Sequence, residues 1–390
     1  MSLIFSRELN GPQTHALVIG VGNYPFAKPG KGVRPVLGGV PDLPSAADSA
    51  KLVCDWFIEN QDRLSPPLAS VEVLISDPIS MAPRYQWRHG PNNAPDPATA
   101  LNIDVYGFAW YKRVIAQPGG TAFFYCCGHG ASHLQQPVLF IEDLNQDARN
   151  PWAHINLGAL AYALGKDRNI GQAALFSDAC GEYVKEFELE KSKECLFYDA
   201  PNIFETTRNH VSLLCAAAEA QLAYEGTSTP SGGPMLGRFT QTFLQGLSGS
   251  SARQTRHGWG VNCRDLAGDL KSIRRVFFSH WGDNEPFEPY PAVTQTDRIP
   301  LVFPQGFELP VVVMTDPLDK MPEYDFFISQ KDNPAPPWLK NRAAGDPNAW
   351  YTTVPPSLNA LYAIAAAKGS HYPMMFQPKE PLFDHWVPVP

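Results

Sequence analysis

The sequence predicts an α/β fold with a mostly parallel central sheet and helices on both of its faces. Short apolar runs are typical of strands buried on both sides, and five of them occur at 15–21, 71–75, 122–127, 172–177 and 211–218. Segments with helical spacing of apolar residues lie between them. Strands that alternate with amphipathic helices favour parallel pairing. In such sheets, reactive side chains gather at the carboxyl ends of the strands.

The composition argues against several classes of protein. The 390 residues suffice for one large domain with an appendage, or for two domains. The net charge is −8, and acidic and basic residues are mixed, so no basic stripe points to nucleic acid. The first residues lack a basic segment followed by an apolar one, and no run approaches the ~18 apolar residues of a membrane span. We expect a soluble, cytoplasmic protein that binds neither nucleic acid nor membrane.

Cysteine usage also suggests a reducing compartment. The seven cysteines are odd in number and form no CxxC pair, which argues against a disulfide framework and a zinc knuckle. Most of them are expected to be small buried hydrophobes.

The first predicted elements are a strand, a helix and a second strand. After the strand at 15–21 comes a loop rich in proline and glycine, and Ser45 with Asp48 then predicts a capped helix start. The strand at 71–75 follows, and a loop with several prolines extends over 76–99.

Two asparagines are predicted to cap the next helices. Asn102 is expected to begin a helix through Ile115 whose inward face includes Val105, Phe108 and Ile115. Asn156 is expected to begin another, with Leu160 on its buried side. Between these helices, the apolar segment 137–141 predicts part of a hairpin near the strand ends.

Later elements are less regular. The polar segment 181–209 is long enough to predict a functional or disordered surface loop. A Gly-Gly-Pro turn precedes a helix with Phe239 and Phe243 on its core face, and 299–303 is predicted to form a last strand.

The last 86 residues differ in composition from the rest. Fourteen of them are proline, so limited regular structure is expected, although 309–314 is predicted to add a strand. Several tryptophans argue against a disordered tail. We therefore predict a domain over 1–304 and a C-terminal extension or accessory module, rich in proline and aromatic residues, over 305–390.

Two strand ends carry residues typical of nucleophilic catalysis. The run 122–127 ends in Gly-His-Gly around His129, and the run 172–177 ends in Asp-Ala-Cys at Cys180. A histidine beside a thiol can take its proton and later give it to a leaving amine. The N–H groups of Gly130 and Cys180 are candidate donors to an oxyanion. No third side chain is evident, so a backbone carbonyl is expected to orient the imidazole.

These motifs resemble those of the caspase-like cysteine peptidases, the group of caspases, metacaspases and their bacterial relatives. Caspases carry a QAC[RQG]G motif with the histidine ~50 residues upstream, and here Cys180 follows His129 by 51 residues. The resemblance covers about 14–304, and its segments in order are HALVIGVGNY, FFYCCGHG, ALFSDACG, LLCAAAEAQLAYEG and GGPMLGRFTQTFLQGL.

The resemblance implies a cysteine endopeptidase and a substrate preference. In the family, the residue two before the nucleophile lines the S1 pocket; here it is Asp178, as in metacaspases. A carboxylate at that place favours arginine or lysine as the P1 residue. Glu219 matches a second acidic S1 position of metacaspases. After the cysteine, Gly181 and Glu182 replace the usual His-Ser-Gly of metacaspases.

The resemblance also implies maturation by cleavage in the loop 181–209. A peptidase with a basic P1 preference would find four candidate self-cleavage sites there, Lys185, Lys191, Lys193 and Arg208. The expected partners are a protein or peptide substrate and an upstream activator. No cofactor is expected; calcium activates some metacaspases, but no dense acidic loop calls for it here.

Other interpretations remain open. A lone buried cysteine or histidine usually belongs to the core, and Asp178 alternatively bonds loop amides. His129 and His133 are four residues apart, a metal-binding spacing on a helix but not after a strand. The protein is alternatively a catalytically silent scaffold or an aspartate-directed caspase. The lack of a basic residue beside Cys180, where caspases carry arginine, argues against the last.

Overall fold

A computed structural model gives the fold of the chain. The described residues are 2–189, 193–199, 210–282, 286–294, 298–330, 340–357, 359–365 and 371–389. By its internal contacts the chain divides into two compact units, of which the first comprises Met1–Leu244, Asn262–Gly268 and His280–Leu301. The second comprises Gln245–Val261, Asp269–Ser279 and Val302–Pro390. The domain boundary at 304/305 stays a prediction.

The strands of the first unit are β1 Leu3–Ser6, β2 Thr14–Val21, β3 Leu68–Ser76, β4 Gly120–Gly128, β5 Gly130–His133, β6 Gln136–Phe140, β7 His154–Asn156, β8 Ile170–Ala179, β9 Glu182–Tyr183, β10 Val211–Cys215, β11 Glu225–Thr229, β12 Gly232–Gly237 and β15 Tyr290–Val293. Two short strands of the second unit, β13 Arg253–Thr255 and β14 Gly258–Gly260, come between β12 and β15 in the chain. The remaining strands of the second unit are β16 Leu309–Asp316, β17 Tyr324–Gln330, β18 Lys340–Arg342, β19 Trp350–Val354, β20 Asn359–Ala365, β21 His371–Phe376 and β22 Leu382–Pro388.

The helices are α1 Pro44–Glu59, α2 Ala100–Asn102, α3 Phe108–Ala116, α4 Leu157–Lys166, α5 Lys185–Leu189, α6 Arg238–Gln245 and α7 Cys263–Phe277. Two π-helical turns continue α2 and α6, at Ile103–Gly107 and Gly246–Ser250. Short 3-10 helices lie at Pro35–Leu37, Ser279–Trp281 and Leu318–Glu323.

The central sheet has seven strands in the order β1-β3-β2-β4-β8-β10-β15. The five inner strands run parallel, and the outer strands β1 and β15 pair antiparallel with their neighbours. The α/β fold class with a mostly parallel central sheet is therefore confirmed. A smaller sheet of order β7-β6-β5-β9 follows the carboxyl end of β4, and its β5–β6 pair is the hairpin predicted around 137–141.

Helices cover both faces of the central sheet, as predicted. Successive residues of β4 point to opposite faces. Phe124 meets Trp110 of α3 with ring centroids 6.3 Å apart, and Leu160 of α4 belongs to the same core. Phe123 meets Phe57 of α1 at 4.5 Å on the other face. The apolar runs of the sequence are strands because both of their faces are buried in this way.

Of two predicted helix caps, one is confirmed and the other is wrong. The Asn156 side chain accepts a hydrogen bond from the Ala159 N–H at 2.9 Å, so it caps α4 as predicted. The predicted cap at Ser45 is wrong, because α1 already begins at Pro44 and its N-cap position makes no side-chain bond. Proline is well suited to the first turn, where its missing N–H costs nothing.

The inward face predicted for the helix after Asn102 is wrong at two of its three residues, and Ile115 alone packs against the core. The helical segment begins one turn earlier, and the Thr99 side chain caps it by accepting from the Asn102 N–H at 3.3 Å. Val105 and Phe108 are 53% and 41% exposed, whereas Trp110 is buried. The π-helical turn inserts one residue into the segment and rotates the face that follows it.

The C-terminal segment contains more regular structure than its prolines suggest. Strands β19-β16-β22 form one sheet and β18-β17-β20-β21 another, and Val311, Phe326 and Leu361 lie in their shared core. The expectation of limited regular structure is wrong, since described prolines such as Pro310 of β16 and Pro373 of the edge strand β21 lie within strands. The strand at 309–314 is confirmed as β16. The strand at 299–303 is not, because Val302 makes only an isolated bridge.

None of the helices in the described part of the chain has the length and apolar character that crossing a bilayer requires.

The buried His15 predicts how stability depends on pH. Its Nδ1 lies 2.8 Å from the Ser70 Oγ, and burial, then Arg113, lower its pKa from 6.5 to about 4. The unfolded chain binds this proton at a higher pH than the folded chain, so stability falls as the pH drops through that window. We expect a loss of up to about 3 kcal/mol of unfolding free energy from this group.

Denaturant unfolding between about pH 7 and about pH 4 measures this effect. The His15→Asn variant should lose less stability over that range than the wild type. The exposed His257, changed to asparagine, is the matched control and should leave the slope unchanged. Equal slopes in all three proteins would contradict the assignment.

Candidate active site

The candidate site lies at the carboxyl edge of the central sheet. Strands β4 and β8 pair in parallel, and their last residues, Gly128 and Ala179, are opposite each other. His129 and Cys180 directly follow these residues on neighbouring strands. The strand ends in the sequence predicted this placement, and the strand register confirms it.

Backbone and side-chain contacts fix the orientation of His129. Its Nε2 lies 3.0 Å from the carbonyl oxygen of Pro41, and its backbone N–H donates to the Tyr24 hydroxyl at 2.8 Å. The buried Tyr24 ring lies 5.1 Å from the imidazole. A carbonyl only accepts hydrogen bonds, so Nε2 carries the proton and Nδ1 holds the free electron pair. The expected orienting carbonyl is therefore that of Pro41.

The imidazole is neutral in this environment. Burial lowers the pKa of His129, and the bond to Pro41 partly opposes that shift. The carboxylates of Glu182, Glu225 and Asp42 oppose it further. A neutral imidazole with an unprotonated Nδ1 is the form that accepts a proton from a nucleophile.

Cys180 is held as a thiol. Its Sγ accepts a hydrogen bond from the Ala223 N–H at 3.3 Å. Burial raises the pKa of the thiol; the Ala223 bond opposes this, and Glu182, Asp178 and Glu225 raise the pKa further. Among the described residues, no hydrogen bond joins Cys180 to His129. The thiolate is therefore not formed in advance.

The backbone of Gly130 is available on the side of Cys180. The Phe140 N–H donates to the His129 carbonyl, which makes Gly130 and Leu139 a non-hydrogen-bonded pair of the β5–β6 hairpin. The Gly130 N–H consequently points away from β6, toward the side where β9 pairs. A Cβ at this glycine would lie 2.7 Å from the Cys180 carbonyl oxygen, so only glycine fits here.

A turn of the chain packs against the residue after Cys180. Gly181 donates its N–H to the Gln221 carbonyl at 2.9 Å and accepts from the Ala220 N–H at 2.7 Å. A Cβ at Gly181 would overlap the Ala218 carbonyl. This turn places the Glu219 side chain in an exposed position.

Asp178 is buried beside the site and already has hydrogen-bond partners. Its carboxylate accepts from the Thr240 N–H at 2.9 Å and from the Thr240 hydroxyl at 2.5 Å. Burial raises its pKa to about 6; the bonds to Thr240 oppose this, and Glu225 adds to it. A Cβ at Gly237 would overlap the carboxylate. Thr240 lies in the first turn of α6, so the carboxylate bonds the start of a helix and not loop amides, and the S1 role of Asp178 stays a prediction.

Sequence reasoning missed three residues of the site. Tyr24 ends the motif HALVIGVGNY, Pro41 lies in a loop with many prolines, and Glu225 follows a tyrosine after the turn. Glu225 affects the pKa of His129, Cys180 and Asp178. Only the position of Tyr24 and Glu225 inside the family-like segments could have pointed to them.

In its described residues, 181–189 and 193–199, the segment 181–209 is not the wholly exposed surface loop that its polarity predicted. Phe187 is fully buried, 5.1 Å from the ring of Trp152, and Phe197 is fully buried, 6.3 Å from the ring of Phe124. These two buried phenylalanines anchor the segment. The composition of the whole segment is charged and polar, so it does not reveal them.

The four candidate cleavage sites differ in placement. Lys185 is the first residue of α5, and Lys193 has an exposed side chain. Lys191 and Arg208 lie outside the described residues.

The alternative of a metal site has little support. His133 packs against Phe187 with ring centroids 4.3 Å apart. Among the residues that the structure describes, no group of three His, Cys, Asp or Glu side chains is placed to hold a metal ion.

Comparisons with known proteins give a distant likeness. No protein-family model matches the chain, and no curated protein matches it. Among solved structures, caspase-1 from Spodoptera frugiperda is similar, with a TM-score of 0.41 and 10% sequence identity, over 77% of this chain and 97% of that one. A likeness this distant says nothing about activity, for which the contacts around His129 and Cys180 are the relevant observations.

The raised thiol pKa predicts the reactivity of the free protein. We expect alkylation of Cys180 by iodoacetamide to reach half of its maximal rate at a higher pH than a cysteine peptide in the same tube. The reason is that burial and three carboxylates oppose the thiolate. Peptide mapping by mass spectrometry measures the rate, with Cys180→Ala as the background control. A rate already maximal near neutral pH would show a preformed ion pair with His129 instead.

Proposed function

We propose that this chain is a caspase-like cysteine endopeptidase of the cytoplasm, with Cys180 as nucleophile and His129 as general base and then general acid. The observation that carries the proposal is the bond between His129 Nε2 and the Pro41 carbonyl at 3.0 Å. It holds the imidazole in the tautomer with a basic Nδ1, on the strand next to that of the cysteine.

The reaction would begin from a neutral pair. When a substrate carbonyl enters, the Cys180 proton moves to His129 Nδ1 and the sulfur attacks the carbonyl carbon. The N–H groups of Gly130 and Cys180 stabilise the oxyanion. His129 then protonates the leaving amine, and water hydrolyses the thioester with His129 again as base. Burial of both groups favours their neutral forms, so the proton transfer awaits the substrate.

Two carboxylates support a basic P1 residue. Asp178 is proposed as the main S1 determinant, since a pKa of about 6 leaves it ionised at neutral pH. Glu225 is proposed as a second acidic group, because its charge reaches Asp178, His129 and Cys180. Glu219, on its exposed turn, is the third candidate. An arginine or lysine side chain would compensate these negative charges.

Fluorogenic peptides with Arg, Lys or Asp at P1 test the function, with and without calcium. We expect the wild type to cleave after Arg or Lys and Cys180→Ala to be inactive. Asp178→Asn should lower kcat/KM for Arg peptides roughly 10- to 100-fold, the effect of losing a charged hydrogen bond. Thr240→Val is the matched control, since it removes one partner of Asp178 and keeps the carboxylate. Cleavage only after Asp would contradict the S1 assignment.

The same panel distinguishes the two remaining carboxylates. Glu225→Gln and Glu219→Gln are compared with Arg and with uncharged P1 residues. Substitution of the residue that lines S1 should lower kcat/KM for Arg and leave the uncharged peptide unaffected.

A catalytically silent scaffold is the second candidate function. The raised pKa of Cys180 and the lack of a hydrogen bond to His129 among the described residues favour it. A scaffold would cleave none of the peptides, even with an upstream activator, and would leave Cys180 unlabelled by peptidyl electrophiles.

We further propose that the loop 181–209 is cut during maturation.

A further inference from the structure

The part of this loop that comes after the undescribed residues 190–192 lies beside β7 and makes a single isolated bridge to it, and we name residues 193–199 the strap. Lys193 donates its N–H to the Asn150 Oδ1 at 2.9 Å and accepts from the Asn150 Nδ2 at 3.1 Å. Glu194 makes a parallel bridge with His154 of β7, and Cys195 donates its N–H to the His154 carbonyl at 2.9 Å. The backbone groups of Lys193 and Cys195, on either side of Glu194, are therefore engaged.

An aromatic residue anchors the strap downstream of these bonds. Phe197 is fully buried, and its ring stacks with Phe124 of β4 and meets Trp110 of α3, each at 6.3 Å. A Cβ at Gly107 would lie 2.7 Å from the Phe197 ring, so the helix opposite has no room to spare. Asp199 adds an ion pair with Lys112 at 2.8 Å, although both side chains are about half exposed and the pair contributes little.

The strap is accessible from outside, so inaccessibility does not protect it from cleavage. The Lys193 side chain is exposed, and the strap lines a cavity of about 730 Å³ on its open side. A peptidase binds its substrate as an extended strand and must place the scissile carbonyl in its oxyanion hole. At Lys193 that carbonyl already accepts from Asn150. The bond after Lys193 can be cut only when the strap leaves its groove.

We propose that the groove along Asn150 and His154 is a strand-binding surface whose occupant is the chain's own strap. Its occupancy shields the bond after Lys193 and keeps the strap bound when the loop is cut upstream of it. Lys193 is then not the maturation site of the folded protein. Of the proposed function, this inference depends only on maturation by cleavage. Its test does not use the protein's own peptidase activity.

Limited trypsin digestion of the Cys180→Ala protein tests the proposal, because trypsin cuts after lysine whatever this chain does. The product that begins at Glu194, identified by mass, should form slowly. Asn150→Ala removes both bonds to Lys193 and should speed its formation about tenfold or more, since each bond favours the closed state by a factor of about five. Asn150→Asp keeps only the acceptor and should give an intermediate rate. The exposed Asn93→Ala is the matched control and should match the parent.

Hydrogen exchange of the parent protein gives a second readout that needs no variant at Asn150. The amides of Lys193 and Cys195 should exchange more slowly than those of exposed turns. Rapid trypsin cleavage after Lys193 in the parent, at the rate of Asn150→Ala, or fast exchange at both amides, would overturn the proposal. Peptidase activity can fail with the strap result intact, so the two failures are distinguishable.

Discussion

The parallel pairing of β4 with β8 is the constraint on which the rest of the candidate site depends. It ends two buried strands at the same level, so that the residues after Gly128 and Ala179 face the same edge of the sheet. A shift of β4 by one residue would separate Phe123 from Phe57 and Phe124 from Trp110, which lie on opposite faces of the sheet. The core that buries Phe123 and Phe124 thus also fixes where His129 and Cys180 lie.

Burial sets the charge state of the two candidate catalytic groups. It lowers the pKa of His129 and raises that of Cys180, and each shift favours the uncharged form. Glu182 and Glu225 stabilise a protonated imidazole but oppose a thiolate. A substrate that brings positive charge to Asp178 or Glu225 would relieve the opposition at the cysteine. Specificity for a basic residue and activation of the thiol would then share one cause.

Hydrophobic periodicity predicted the five inner strands of the central sheet, because these strands are buried on both faces. It also placed His129 and Cys180 at strand ends. It failed at Val105 and Phe108, where a π-helical turn rotates a helix and leaves no periodic signal. Charge in the segment 181–209 concealed two buried phenylalanines. Contacts between distant parts of the chain, such as Pro41 with His129, carry no local pattern at all.

An arginyl chloromethyl ketone tests most directly whether the two residues act together. Intact-mass measurement on wild type, His129→Ala and Cys180→Ala gives the number and rate of adducts. A catalytic dyad predicts one adduct on Cys180 of the wild type, none on Cys180→Ala, and labelling of His129→Ala slowed by about 100-fold or more, the usual contribution of a general base. Equal labelling of wild type and His129→Ala would contradict a dyad and leave Cys180 as an ordinary accessible thiol.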